Sequence, residues 1–385
     1  MSVNLNINLS IIALFTLICV CEPSIASSNR SLPISFNFIN VQVPQTPIVL
    51  WHGIGDSCCG RINSPKHGRI STGNMMAMIK KHLPQNTYVY SICQSKVGDF
   101  LGCLYVQDVK AGFYGDANEQ INMQCEHLMK DKKLENGFHL MGMSQGGLFA
   151  RALVQKCPGL KIKNLISFGG PQNGVAAFPG CETMDQRRRL GRNGKTKRDA
   201  NTILDLDLNV KSSSFCRKVD SYIKSNAYTS WVQRNIIPGQ YYTGSTLLEH
   251  SNFHSVNNFL TDINMVRKID KQQIENLHKI GNGKGKFILL KFDKDDVISP
   301  KESQWFGYVD FEKVVVQSKD KDGQDYTEYK FEKIMKKAED LPIYKNLGLD
   351  VLEKEGRLHF LSIDRPHIIF EEEWFLSEIV DKYLR

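Results

Sequence analysis

One serine in this chain is framed for nucleophilic chemistry. Gly142-Met143-Ser144-Gln145-Gly146 has the pattern G-x-S-x-G, and Gly147 follows. A serine hydroxyl is a weak nucleophile until a base takes its proton, and a tight turn lifts the hydroxyl to where a base can reach it. Side chains at Gly142 and Gly146 would collide with neighbouring backbone, so glycine is needed on both sides. The bare five-residue pattern is common by chance, but its setting is specific. Phe138, Leu140 and Met141 predict the end of a buried strand, and Leu148 to Val154 predict a helix start. The bland alternative is a surface serine in a Gly-rich turn. Further parts of the same machinery, in the right order along the chain, outweigh it.

The base must be held by an acid. In the α/β-hydrolase arrangement the three groups follow in the order Ser, Asp or Glu, His. That order prunes the ten histidines sharply, because only His359 and His367 lie beyond Lys286. His359 sits in an apolar run and reads as a strand histidine. His367 follows Arg365-Pro366 in a loop before the last helix and is the preferred base. The acid should leave the end of strand 286–292, where Asp293, Asp295 and Asp296 all qualify by position. For two of the three a solvated acidic turn is the role. The oxyanion needs two backbone N–H donors. Gln145, after the nucleophile, supplies one, and Ile54 in the loop His52-Gly53-Ile54-Gly55-Asp56 can offer the other. His52 itself reads as a hydrogen-bonded loop histidine.

These groups must be carried to one end of one sheet. Pro47-Ile48-Val49-Leu50-Trp51 is a short apolar run ending in His52-Gly53, as a buried parallel strand does. Thr87 to Ile92 and Ile162 to Phe168 read as strands, and 117–134 has helical spacing. From about 178 to 285 the pattern lapses into aromatics, amides and short helical stretches. That is the composition of an inserted, mainly helical cap, with a basic flexible loop at 183–204. Lys286 to Phe292 resumes the sheet, Leu358 to Ile363 is a further strand, and Glu371 to Leu384 is an amphipathic closing helix. The expectation is a single domain over 27–385 with the α/β-hydrolase fold, a mostly parallel central sheet flanked by helices.

At 385 residues and 41% hydrophobic composition the chain can bury a substantial core. The net charge of +8 does not make a nucleic-acid surface, because seven basic residues fall between Arg187 and Arg198 and the remainder is nearly balanced. Leu9 to Cys21 is apolar and uncharged, too short for a bilayer span, and Ser24-Ile25-Ala26 supplies small residues for cleavage. Residues 1–26 therefore predict a signal peptide, directing the chain to the secretory pathway, lysosomal or secreted. No later segment has the length and apolarity of a transmembrane span. Eight cysteines remain after the signal: Cys58, Cys59, Cys93, Cys103, Cys125, Cys157, Cys181 and Cys216. An even number in a secreted chain suggests disulfides. With no C-x-x-C pair and no His–Cys cluster, no metal is expected, and the chemistry calls for no cofactor. Asn29-Arg30-Ser31 is the glycosylation acceptor of the mature chain.

These residues resemble the palmitoyl-protein thioesterases, lysosomal enzymes that remove fatty acyl groups from protein cysteines. The carrying segments include Trp51-His52-Gly53-Ile54-Gly55-Asp56-Ser57-Cys58-Cys59, Gly142 to Gly147 and Leu165-Ile166-Ser167-Phe168-Gly169-Gly170. Phe259 to Asn264, Ser303-Gln304-Trp305-Phe306-Gly307 and Glu372-Glu373-Trp374-Phe375 add to them. The similarity runs from Pro47 to the C-terminus. It implies Ser144 as nucleophile, His367 as base and Asp295 as acid, five residues before Pro300. It also implies disulfides Cys58–Cys59, Cys125–Cys157 and Cys181–Cys216, which leaves Cys93 and Cys103 to pair with each other. The chain departs from the family where the basic run separates Cys181 from Cys216. Asn252-Phe253-His254-Ser255 is not a glycosylation acceptor.

The implied reaction is hydrolysis of palmitoyl or other fatty-acyl thioesters on protein cysteines through an acyl-enzyme. A thiol of pKa about 8.5 leaves with little general-acid help. The implied partners are S-acylated proteins or peptides and their long-chain acyl groups, bound in an apolar groove between sheet and cap. Transient contact with a membrane surface is compatible with such substrates. One rival is a lipase or phospholipase acting on oxygen esters. Another is a lipid-binding protein with a dead site, against which an intact Ser, Asp and His argue.

Overall fold

The computed structural model describes residues 45–60, 62, 69–95, 103–177, 221–319, 321 and 324–385. The expected signal peptide, Asn29, Cys181, Cys216 and the basic run at 187–198 lie outside the described residues.

Six parallel strands make the central sheet: β1 (Ile48–Trp51), β2 (Val89–Ile92), β3 (Phe138–Met143), β4 (Ile162–Phe168), β5 (Phe287–Phe292) and β8 (Leu358–Ile363). Their order is β2-β1-β3-β4-β5-β8. The inner strands β1, β3 and β5 read as near-continuous apolar runs because both faces are covered, while the edge strands β2 and β8 are partly exposed. Side chains alternate between the two sides. Val49, Trp51, Leu140, Leu165 and Leu289 point into one core, and Ile48, Leu50, Met141, Ile166 and Ile288 into the other.

Helices fill the two layers. On one side lie α1 (Thr72–His82), through Met75 and Ile79, and the closing helix, through Phe375, Ile379 and Val380. That closing segment starts as one α-helical turn, Glu372–Phe375, and widens to a π-helix over Leu376–Leu384. Behind the other face lie α3 (Ala117–Lys130), capped by Asp116, and α4 (Gln145–Lys156). A shorter helix, α2 (Tyr105–Ala111), precedes them. The helical spacing expected to 134 breaks at Asp131, whose side chain instead caps a 3-10 turn at Lys132–Leu134.

Within 221–285 the described elements are helical, among them α5 (Leu247–Val256) and α6 (Lys271–His278). Asn276 of α6 donates to the Gln155 carbonyl on α4 at 2.7 Å, and Leu277 joins the core beside Leu153. Arg151 on α4 ties this region down. It has no exposed surface, and its five N–H donors are all met, by Gln155, Gln172, Asn264 and the carbonyls of Gln172 and Ile263. Burial pushes its pKa down to about 9, so it remains a cation at neutral pH.

One element has no counterpart in the sequence expectations. β6 (Tyr308–Lys319) and β7 (Asp325–Lys336) form a separate antiparallel ribbon. Charged residues interleave with its apolar ones, and each strand pairs only with the other. It therefore lacks the unbroken apolar run that marks a buried strand.

Candidate active site

The strand order reverses between β1 and β3, and a crevice forms outside the carboxyl ends of parallel strands at such a switch point. Ser144 stands there, between the end of β3 and the first residue of α4. Its backbone takes φ 53° and ψ −126°, a left-handed value that a serine adopts only where its surroundings impose it. The surroundings are backbone. A Cβ on Gly142 would strike the Gly146 carbonyl, and one on Gly146 would strike the Trp51 carbonyl. Gly53 is constrained less severely, since its Cβ would lie 3.0 Å from Ser144 Cβ. The loop after β1 therefore packs directly on the serine.

His367 and Asp295 complete a chain of hydrogen bonds. His367 Nε2 is 2.9 Å from Ser144 Oγ, and His367 Nδ1 is 2.5 Å from Asp295 Oδ2. The Asp295 side chain has no exposed surface and that of His367 is 2% exposed. Asp295 is fixed from three further directions: Oδ1 accepts from the Val297 and Ile298 N–H groups, both at 2.8 Å, and Oδ2 from Gln304 Nε2 at 3.0 Å. The neighbouring candidates turn elsewhere. Asp293 pairs with Lys291 at 3.0 Å and Asp296 with Arg69 at 2.9 Å. His359 lies on β8, 2.8 Å from the Tyr383 hydroxyl, away from Ser144.

Ile54 and Gln145 flank the serine. Gln145 opens α4, where a backbone N–H has no intrahelical acceptor. Neither N–H has an acceptor among the described residues. The Gln145 side chain is buried, donating to the Gly112 carbonyl at 3.0 Å and meeting the Tyr241 hydroxyl at 3.1 Å.

Behind this loop is an ion pair that sequence reasoning missed. His52 Nε2 lies 3.0 Å from Asp108 Oδ2, and neither side chain has exposed surface. His52 Nδ1 is 2.9 Å from the Gly53 carbonyl. Burial opposes charging of His52, but the hydrogen-bonding contact with Asp108 and the charges of Asp108 and Asp56 outweigh it and raise the pKa. Burial likewise favours the neutral acid at Asp108, yet His52 and the N–H groups of Cys58 and Ser95 hold its pKa below the ordinary value. Nothing local in the sequence distinguishes Asp108 from other helix aspartates.

The cysteine pairings correct the expectation. Cys58 bonds Cys93, with Cα atoms 4.9 Å apart, and Cys59 bonds Cys103, at 5.1 Å. Neither Cys58–Cys59 nor Cys93–Cys103 is formed. β1 and β2 are paired with Trp51 beside Ile92, so Cys93 emerges next to the loop that carries Cys58. Adjacent side chains point apart, and each takes its own partner across that gap. Cys125–Cys157 is present and joins α3 to the end of α4. The sulfurs of Cys58, Cys93 and Cys103 and an Asp108 oxygen lie within 4.8 Å of one another. The disulfides use the thiolates that a metal would need.

Comparison with known proteins identifies the family of the chain. The palmitoyl protein thioesterase family profile matches residues 47–367. The chain is 29% identical over 341 residues to palmitoyl-protein thioesterase 1 of Caenorhabditis elegans, covering 88% of this chain and 92% of that protein. It is 28% identical to the palmitoyl-protein thioesterase-dolichyl pyrophosphate phosphatase fusion 1 of Schizosaccharomyces pombe, over 84% of this chain and 41% of the fusion. It is 25% identical to palmitoyl-protein thioesterase 3 of Dictyostelium discoideum, over 69% of this chain and 75% of that one. The chain therefore belongs to the palmitoyl-protein thioesterase family and is a hydrolase.

Proposed function

We propose that this hydrolase cleaves fatty-acyl thioesters on protein cysteines through an acyl-enzyme on Ser144. The observation that carries the reading is the unbroken chain Ser144–His367–Asp295, with distances of 2.9 Å and 2.5 Å. His367 Nε2 takes the Ser144 proton as Oγ attacks the thioester carbonyl, and Asp295 stabilises the imidazolium that forms. The N–H groups of Ile54 and Gln145 receive the oxyanion. The carbon–sulfur bond breaks and the cysteine leaves as its thiol, taking the proton held by His367. Water, deprotonated by the same imidazole, then attacks the acyl-serine and releases the fatty acid.

Family membership supports the thioester, and the acyl chain is expected in an apolar groove between the sheet and the segment around 221–285. The disulfides and the apolar N-terminal stretch support passage through the secretory pathway, with lysosomal residence or secretion as the outcome. Oxygen-ester hydrolysis uses the same groups. Fluorophosphonate labelling of one portion of the enzyme tests Ser144 as the nucleophile, and matched S-palmitoyl and O-palmitoyl substrates, assayed with unlabelled enzyme, separate the two. The thioester reading requires the higher kcat/KM on the S-acyl substrate, and a clear preference for the oxygen ester would replace it with a lipase.

A further inference from the structure

The β6–β7 ribbon is the largest element that neither the sheet nor the proposed chemistry uses. Its register runs from Tyr308 opposite Lys336 to Lys319 opposite Asp325. Opposed residues in an antiparallel pair share a face, and the face alternates along each strand. The register therefore sorts the ribbon into two faces that both carry apolar residues but differ in the sign of their net charge. One carries Val315, Tyr329, Phe331 and Met335 together with Lys313, Lys319 and Lys333, against a single acid, Asp325, which lies 3.8 Å from Lys319; at its base Val309 is buried and Phe311 lies against His250. The other carries Tyr308, Val314, Val316 and Ile334 with four acids, Asp310, Glu312, Glu328 and Glu332, against Lys330 and Lys336, and Lys336 is already paired to Asp310 and Glu312. The exposures on the first face are large: Val315 60%, Tyr329 59%, Phe331 54% and Met335 44%. Lys313 Nζ lies 3.8 Å from the centre of the Tyr329 ring.

Exposed aromatic and aliphatic side chains grouped on one face mark a surface that meets something apolar. The accompanying charge decides what. Aromatic rings settle at the headgroup level of a bilayer, lysines extend to lipid phosphates while their stems stay in apolar surroundings, and anionic lipid attracts them. A second copy of the chain is the poorer fit, because a two-fold contact would set this lysine-bearing face against itself.

We propose that the aromatic–lysine face of the β6–β7 ribbon docks on an anionic membrane surface, bringing the enzyme to acyl chains held in the bilayer. The benefit to turnover rests on the thioesterase reading above, while the docking stands on the ribbon alone.

The test is flotation of the full chain with phosphatidylcholine vesicles and with vesicles that also contain phosphatidylserine. Binding should require the anionic lipid. It should fall roughly fivefold or more in Tyr329→Ser/Phe331→Ser and in Lys313→Glu/Lys333→Glu, and weaken in about 0.5 M salt. Hydrolysis of a water-soluble short-chain thioester should be unchanged in both variants, which also shows that they fold. The proposal is overturned if the wild-type chain does not float with anionic vesicles, or if both double variants float as well as it does. It is also overturned if the variants lose only self-association in sedimentation, or if deleting 187–198 alone abolishes binding. Ribbon-dependent flotation without fluorophosphonate labelling of Ser144 would leave the docking intact and remove the catalytic reading.

Discussion

His52 and Asp108 form a fully buried ion pair, 3.0 Å apart, directly behind the loop that carries Ile54. Asp108 also accepts from the N–H groups of Cys58 at 2.7 Å, Gln94 at 2.5 Å and Ser95 at 3.1 Å. One carboxylate thus holds the ends of both loops that leave β1 and β2. Asp108→Asn removes the charge and leaves His52 buried without its partner, and breaking a buried pair in this way costs about 3–5 kcal/mol. The raised pKa of His52 contributes stability that is fully present below its ordinary value of 6.5 and is lost as pH rises through the folded value. The lowered pKa of Asp108 contributes above its ordinary 3.8 and is lost as pH falls through the folded value. The pair therefore stabilises most in the mildly acidic range. Urea unfolding should show a larger cost for Asp108→Asn at about pH 5.5 than at about pH 9. An equal cost at both would mean that His52 is neutral in the fold.

Ser144→Ala should fold normally and lose essentially all acyl-ester hydrolysis, because no other nearby group can form the acyl-enzyme. Asp295→Asn should lower kcat by orders of magnitude through the wrong imidazole tautomer. Asp293→Asn and Asp296→Asn, whose carboxylates pair with Lys291 and Arg69, should stay within roughly tenfold of wild type. Steady-state kinetics on a soluble thioester ranks the four variants. A dead Asp296→Asn beside an active Asp295→Asn would reverse the assignment.

Alkylation after single substitutions reads the disulfide connectivity. Cys58→Ser should free Cys93, and Cys59→Ser should free Cys103. A vicinal bridge would instead make Cys59 the freed thiol in Cys58→Ser. Each lost bridge should cost about 2–4 kcal/mol, measured by denaturant unfolding.

Deleting the basic segment 187–198 should leave kcat on a soluble thioester nearly unchanged. Its charge density and its Gly, Asn and Lys content oppose burial. A large fall in kcat would give the segment a part in the site.

The sequence by itself determined what short-range pattern can encode. The inner strands β1, β3 and β5 are apolar runs because both their faces are covered. The turn at Ser144 is legible because Gly142 answers a collision with Gly146 inside the turn itself, whereas the collision that Gly146 answers, with the Trp51 carbonyl, exists only once β1 lies beside β3. The strand–turn–helix setting and the order Ser, Asp, His could then be read along the chain. Among the three neighbouring aspartates, however, the residues alone made no choice, and only family resemblance singled out Asp295.

Tertiary structure decided whatever depends on where distant loops end. Asp295 faces His367 because the turn after β5 folds back on Val297, Ile298 and Gln304, while its neighbours face outward to Lys291 and Arg69. Cys58 and Cys59 part company because the alignment of β1 with β2 delivers Cys93 beside the first loop, a register that no spacing of cysteines records. Asp108 meets His52 across 56 positions for the same reason. The β6–β7 ribbon escaped notice because its strands bury little beyond each other, and without a buried face there is no selection for the apolar run by which strands are read.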